Sequence, residues 1–534
     1  MAKVLWLTVA GVEVGGDGER IDQTSVLVLL SVAYSLSSIG RGCFRRGGII
    51  LGTEAIAPST RPPLNPMEIS WIRLRKSDRL SHPSSNVIPR LATMNTSELN
   101  KYKVDHLFLL IGENPLPNYV AARLLLNKGG TPYLVYSKGT KDPAERLQTI
   151  LSNEPIGLKT AQLVPLNDYE SDAYHIKEAI RPKLEAIKVG KIGLNYTGGT
   201  KAMAVHAYRA VFSKERPDTV FSYLDPRKLE MCIDREDGDR IRLKVKPECL
   251  EVKLAKVFQI HGWMWQEKSE PIYQPELPDA ARAFAEFHTN EQLIKLWRTW
   301  CNQVLRESAR KPKDKNKWLS ESKLLELPDL RLEITRDNKT VELQKYQAIN
   351  QALAQLGVAA KKLSLQTVKD QGLKSLESTC KWLDGEWLEH YVLQQVQNIP
   401  KELSIDDSAT SFWIRNPIYP KNTKFQFDVA FMRGYQLFAI SCTTIERKFD
   451  CKSKLFEAYI RARQLGGDEA RVALVCCTSE KDVNALETEI VNVLNPSPEG
   501  GKIDYKLAVF GRDDLLDLSD KIAEWICNNE RDAR

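Results

Sequence analysis

Residues 194–203, LNYTGGTKAM, set two glycines, two threonines and a lysine where one pattern stops and another begins. The apolar run 191–196 reads as a strand, and Met203, Ala207, Ala210 and Val211 follow at helical spacing. Adjacent Gly198 and Gly199 permit a tight turn and leave amide N–H groups unshielded. With the hydroxyls of Thr197 and Thr200, the Lys201 ammonium and the positive end of the new helix, those amides suit an anion, most simply a phosphate. The spacing is not that of a Walker loop, because GxxxxGK[ST] is absent. A second set lies near the C-terminus. Glu389 borders the apolar stripe Leu388, Tyr391, Val392 and Val396 of a helix expected over 385–396. In a strand over 424–432, alternation puts Phe425, Phe427, Val429 and Phe431 on one face and Gln426 and Asp428 on the other. A strand over 436–444 puts Ala439, Ser441 and Thr443 on a common face, so Glu389, Asp428 and the 441/443 pair are expected at one site.

The elements that must hold the first set begin at His106. Strands are expected at 106–112, 132–137, 161–166, 191–196, 219–224 and 229–233, and helices at 119–126, 142–153, 170–188 and from the glycine turn to about 213. Strands alternating with helices indicate an α/β, Rossmann-like parallel sheet, whose ligands sit beyond the carboxyl ends of the strands. Three such ends carry suitable chemistry: Gly112, Glu113 and Asn114; Ser137 and Lys138; and Thr197 to Lys201. Residues 247–382 read as mostly helical, with helices over 280–308 and 341–355 and a basic loop over 306–317 that is weighed as a nucleic-acid contact. From 383 a compact α/β domain follows, with a helix over 451–464 and a strand over 471–477. The first hundred residues hold a strand-like run, 3–11, and a proline- and serine-rich stretch, 55–90.

At 534 residues the chain has room for about three or four domains. A hydrophobic content of 43% beside 27% charged residues fits a soluble globular protein. A net charge of +7 permits a nucleic-acid partner without requiring one. Ten cysteines without a CxxC pair argue against a zinc framework and for a reducing cytoplasm. No apolar stretch is long enough to span a bilayer, so no membrane partner is expected.

LFLLIGENPLPN (107–118) and LNYTGGTKAM together resemble the CARF domain of type III CRISPR accessory proteins, over roughly 105–235. The order G-x-W-L-E, then D, then I-S-C resembles the PD-(D/E)xK nuclease domain, restriction-endonuclease-like in fold, that one branch of that family joins to CARF. The resemblance implies an N-terminal extension (1–100), a CARF domain (101–246), a helical linker region (247–382) and a nuclease-like domain (383–534). It implies a cyclic tetra- or hexa-adenylate ligand bound across a homodimer, and a DNA or RNA substrate cut by the nuclease domains. The ligand loops carry over to Gly112, Asn114 and Pro115, to Ser137, and to Thr197, Gly198, Gly199, Thr200 and Lys201. Phosphodiester hydrolysis would need hard oxygen ligands for Mg²⁺ or Mn²⁺, here Glu389 and Asp428, and a lysine.

The chain departs from that pattern. Gln426 stands where an acid is expected, Ser441 where the E of (D/E)xK would be, and Thr443 where the lysine would be. Either the site is inactive or the lysine has moved. Lys452, three, four and seven positions before Leu455, Phe456 and Tyr459, is the first choice, with Lys448 and Lys454 behind it. Three alternatives follow: a sensor or regulator that cuts nothing, a ring nuclease that cleaves its own ligand with Thr200 and Lys201, and a metal-free ribonuclease built on Arg282 and His288.

Overall fold

The computed structural model describes residues 97–234, 241–266, 269–359, 361–417, 424–494 and 506–532, all in the unit Leu91–Arg534. The strand expected at 3–11 and the proline-rich stretch lie outside the described residues. The first sheet runs through β1 (Val104–Leu110), β2 (Leu126–Ser137), β3 (Gln162–Asn167), β4 (Ile192–Asn195), β5 (Val220–Asp225), β6 (Glu230–Asp234) and β7 (Ile241–Lys244), in the order β3-β2-β1-β4-β5-β6-β7. The first five strands are parallel, and β6 and β7 extend the edge antiparallel. The helices are α1 (Leu116–Leu125), α2 (Lys141–Ser152), α3 (Ala173–Ala186) and α4 (Lys201–Val211). The apolar run of β1 is buried on both faces: Leu107 and Leu109 join α1 and α2, while Phe108 and Leu110 join α3 and α4. A continuous hydrophobic run is what a strand covered on both sides requires. Because β1 is flanked by β2 on one side and β4 on the other, the chain changes direction there, and the crevice beyond their carboxyl ends is the place for a ligand.

The middle region is not a linker. After α5 (Leu254–Ile260), the short strand β8 (Met264–Trp265) pairs into the C-terminal sheet, and α6 (Pro278–Phe287), α7 (Glu291–Trp300) and α8 (Gln347–Gln355) share the core of the domain that follows. The helix expected over 280–308 breaks at 288–290, where Asn290 caps α7. The helix expected over 341–355 starts only at Gln347, because Lys339–Glu342 pairs as a hairpin strand. The basic loop is a hairpin, Arg310–Lys311 with Asp314–Trp318, rooted by Arg306 and Arg310 on Asp384 at 2.8 Å each. Lys315 pairs with Glu307 and Lys317 with Asp314.

The second sheet has the order β13-β12-β11-β10-β9-β8, with β9 (Asp407–Arg415), β10 (Lys424–Arg433), β11 (Gln436–Thr443), β12 (Arg471–Cys476) and β13 (Leu507–Phe510). Around it lie α9 (Trp387–Gln397), α10 (Lys448–Gly466), α11 (Glu480–Leu494) and α12 (Leu518–Asp532). One face packs on α9, α12 and the middle helices. The other packs on α10 and α5 and runs without a break into the core of the first sheet, through Phe258, Phe412 and Phe427. The two halves therefore share one apolar core, which ties any movement of the first sheet to the second.

Glu469 sits just after α10, only 2% exposed, and burial pushes its carboxyl from 4.5 to about 7. A carboxyl raised in the folded state stabilises the fold most below its unfolded value, and that contribution is lost as pH rises through about 7. We expect Glu469→Gln to remove about 2–4 kcal/mol of the pH dependence of stability between pH 4.5 and 7, measured by calorimetric unfolding across that range.

Candidate functional site

The loop between β4 and α4 is shaped by contacts that only glycine allows. A Cβ at Gly198 would overlap the Leu110 carbonyl oxygen, and Gly199 has φ +75°. Gly112, at the end of β1, lies against the same loop: a Cβ there would meet the Gly199 nitrogen at 3.2 Å. Asn118, fully buried, donates to the Leu110 carbonyl at 2.8 Å and so fixes the end of β1. Thr200 caps α4, its Oγ1 accepting from the Met203 amide at 3.1 Å and donating to the Glu170 carbonyl at 3.1 Å. Gly199, Thr200 and Lys201 are exposed, at the positive end of an eleven-residue helix.

The other predicted ligand residues are placed differently. Thr197 Oγ1 accepts from the Leu224 amide at 2.7 Å, which ties the loop to β5. Ser137 is 9% exposed and closes a turn with Thr140. Pro115 is buried and stands at the start of α1. Asn114 has contacts on the other half of the molecule. Its Oδ1 accepts from the Leu116 amide and lies 2.9 Å from His261 Nε2 on the residue that ends α5. Its amide nitrogen also lies against Gly467, at the end of α10, where a Cβ would overlap it.

Three elements converge on the acidic centre. The ladder between β9 and β10 pairs Thr410 with Val429 and Phe412 with Phe427, and Ser411 and Asp428 lie between. Ser411 has φ +54°. The alternation expected for β10 breaks here: Phe425 and Phe427 pack into the core shared with the first sheet, whereas Val429 and Phe431 pack into the core under α9. A local twist of this kind re-aims side chains and is common beside functional sites. Ser411 Oγ donates to Glu389 Oε2 at 2.5 Å. Asp428 Oδ2 accepts from Ser441 Oγ at 2.9 Å and from the Cys442 amide at 2.8 Å, and lies 3.7 Å from Lys454 Nζ on α10. Lys454 Nζ also reaches the Cys442 carbonyl at 3.3 Å.

The electrostatics are those of crowded carboxylates. Burial first, then the charges of Asp428 and Glu386, hold Glu389 well above the ordinary carboxylate range. Burial pushes Glu386 up to about 7, against the pull of Lys381 and with Glu276 and Asp428 adding to the rise. Burial alone would lower Lys454, but Asp428 and Glu389 outweigh it and leave its ammonium above the ordinary value.

Residues 376–529 match the model of the Card1-like endonuclease domain. Two solved structures share the fold over 79% of this chain. Protein VC1899 from Vibrio cholerae is 17% identical, with a TM-score of 0.57 and 98% of its chain covered. Can2 from Sulfobacillus thermosulfidooxidans, determined in complex with cyclic tetra-adenylate, is 16% identical, with a TM-score of 0.52 and 99% of its chain covered. The chain resembles a CARF protein joined to a Card1-like endonuclease domain. No curated protein sequence matches it.

Within the Card1-like domain, Lys452 is not beside the acids. It pairs with Glu489 at 3.1 Å, Lys448 pairs with the other oxygen of the same carboxylate, and Lys454 instead takes the place next to Asp428. The buried-face spacing of α10 misleads here, because Lys454 reaches back over the strand end rather than down into the core. Thr443, at the expected lysine position, is 7% exposed and accepts from the Ile445 amide. Ser441 donates through its hydroxyl to Asp428. Glu386 and Ser411 were not singled out from sequence; Glu386 lies one turn before Glu389, the only signal that pointed to it. The Arg282–His288 ribonuclease has no site: Arg282 is exposed beside Asp279, while His288 is fully buried against Phe287 and Trp387, with burial lowering it to about 3. Among the described residues no helix is long and apolar enough to cross a membrane.

Proposed function

We propose that this chain is a metal-dependent nuclease switched on by a cyclic oligoadenylate, acting in type III CRISPR defence on DNA or RNA as a homodimer. The observation that carries the reading is the meeting of Glu389, Asp428 and Lys454 at the kink between β9 and β10, inside the segment that matches an endonuclease domain. The donor set fits a hard divalent cation. Glu389 and Asp428 are two carboxylates forced together, with burial first and then the charge of Asp428 raising Glu389 well above the ordinary range, and Mg²⁺ is commonly held by one or two carboxylates with water and substrate phosphate completing its shell. Among the described residues no group of three or more acidic, histidine or cysteine side chains that could hold a metal ion is found. Mg²⁺ or Mn²⁺ bound there would supply Lewis-acid stabilisation of a phosphodiester.

The chain's own residues do the rest. Ser441 and the Cys442 amide fix one oxygen of Asp428, and Ser411 fixes one oxygen of Glu389. Lys454 offers a cation to the charge that builds on phosphate oxygens during hydrolysis. On the sensor half, the exposed Gly199–Lys201 turn presents backbone amides and the Lys201 ammonium to a phosphate, while the Thr200 hydroxyl holds the turn by its bond to the Glu170 carbonyl. A contact path joins the halves: the Gly112–Asn114 turn touches His261 and the end of α10, and α10 carries Lys454. Lys454 beside Asp428 answers one of the two departures behind the reading of a sensor that cuts nothing, the missing lysine at Thr443; the other, Gln426 in place of an acid, stands.

The test is cleavage of plasmid, single-stranded DNA and RNA by the full chain, with cyclic tetra- or hexa-adenylate and with Mg²⁺ or Mn²⁺, each omitted in turn. Cleavage only when ring and cation are both present is the expected result. Ring binding without cleavage of any substrate would leave a sensor, and consumption of the ring itself would leave a ring nuclease.

A further inference from the structure

The exposed donors of the β4–α4 loop recognise phosphate and say nothing of a base. Next to that loop lies an aromatic cluster that the fold does not bury. Tyr169 and Tyr174 are 48% and 64% exposed, and His175 is similarly open. The Tyr169 and His175 rings stack with centroids 3.9 Å apart and planes within 8°, and Tyr174 meets His175 edge-on. Exposed rings in such order need something to hold them, and the backbone does so. Tyr169 N donates to the Leu166 carbonyl and Asp172 N to the Tyr169 carbonyl, both at 3.0 Å, and Asp172 caps α3 by accepting from the His175 amide at 2.9 Å. Asp172 Oδ1 also lies 2.9 Å from His175 Nδ1, which fixes the imidazole plane.

The cluster belongs to the ligand rim by direct contact. Thr200, the residue that caps the phosphate loop's helix, donates through Oγ1 to the carbonyl of Glu170, the residue after Tyr169. Lys138, at the end of β2, pairs with Asp168, the residue before Tyr169, at 3.3 Å. The cluster thus follows the carboxyl end of β3 as the phosphate loop follows that of β4, on the side of the sheet where a ligand is expected.

We propose that Tyr169, backed by His175, is the stacking surface for a purine base of the ligand whose phosphate lies at Gly199–Lys201; this rests on the reading of the chain as a cyclic oligoadenylate sensor. A base stacked on an aromatic ring is recognised by its π-face, and a ring already stacked on a second ring is ordered before the ligand arrives. Tyrosine keeps this surface open to water without the ligand because its hydroxyl end is polar.

The experiment is calorimetric titration of the full chain with cyclic tetra-adenylate, cyclic hexa-adenylate and cyclic tetra-uridylate, for the parent, Tyr169→Ala, Tyr169→Phe, His175→Ala and Lys201→Ala. Loss of a base–aromatic stack weakens binding by about tenfold to a hundredfold. We expect Tyr169→Ala to lose that much for the adenylate ring, to lose less for the uridylate ring, and Tyr169→Phe to restore affinity to within about threefold. Lys201→Ala is expected to weaken both rings alike and to flatten the salt dependence. Parent-like adenylate binding by Tyr169→Ala overturns the assignment, as does an unchanged affinity with an altered particle mass by light scattering, which would make the cluster a contact between copies. If the parent itself binds no ring, it is the sensor reading that fails.

Discussion

Asp428→Ala is expected to lower nucleic-acid cleavage by about two to four orders of magnitude while leaving cyclic oligoadenylate affinity within about twofold of the parent. The first number follows from what the carboxylate does. It lies where β10 changes faces, with Oδ2 taken by the Ser441 hydroxyl, the Cys442 amide and, at 3.7 Å, Lys454. It is also the strongest charge acting on Glu389. On the proposed reading, removing it takes away a cation ligand worth several kcal/mol of transition-state stabilisation. It also removes the strongest charge acting on Glu389, but burial still raises that carboxyl above the ordinary range, so Glu389 is left as a single buried carboxyl that does not replace the pair. The second number follows from distance along the chain of contacts: the ligand loop is built on Leu110, Asn118 and Leu224, none of which touches Asp428. Cleavage of labelled DNA and RNA under single-turnover conditions, paired with calorimetry of ring binding, reads both numbers. Full cleavage by Asp428→Ala places the hydrolytic centre elsewhere. Loss of ring binding together with cleavage means that the substitution has disturbed the shared core instead.

The first sheet was legible because its strands are buried on both faces and its turns carry glycine or proline, so every parallel strand in it met its expected run to within a few residues apart from β2, which starts six residues early. The strand that sequence alternation missed there, β7, is half polar because it closes an edge. The second sheet was harder. Alternation along β10 holds on each side of Asp428 but not across it, since the kink shared with Ser411 swaps the faces. Periodicity assumes one regular element, and a functional site is where that assumption fails. The middle region misled for a different reason: its short hairpins and β8 take their order from a core completed by residues a hundred positions later. Asn114 illustrates a third limit. Its place in a ligand-like loop suggested a ligand contact, but its side chain is claimed by His261, 147 residues on. Long-range contacts of that kind leave no trace in local spacing.

Lys454→Ala and Lys452→Ala should separate two lysines that share one helix and differ by two positions. Two positions on a helix turn a side chain by more than half a revolution, so α10 points them to different partners. Lys452 meets Glu489 on α11, a half-exposed pair away from the acids that contributes little, and its loss should leave cleavage within about twofold. Lys454 meets Asp428 on β10 and the Cys442 carbonyl near the end of β11. A cation held there in advance stabilises developing negative charge without reorganising, and removal of one such group lowers turnover by about 10²–10³. The loss should appear in kcat rather than in KM, because the interaction strengthens only as charge builds. Lys454→Arg, which keeps the charge on a longer, planar head, should recover part of the rate. Removal of the lysine leaves Asp428 and Glu389 without their nearest cation, which raises Glu389 further and shifts the onset of cleavage to higher pH. Measured kcat across pH for the three variants decides the matter. Equal losses for Lys452→Ala and Lys454→Ala would mean that α10 matters as a packed helix, and a loss confined to Lys452→Ala would move the cationic role to the Glu489 side of the helix.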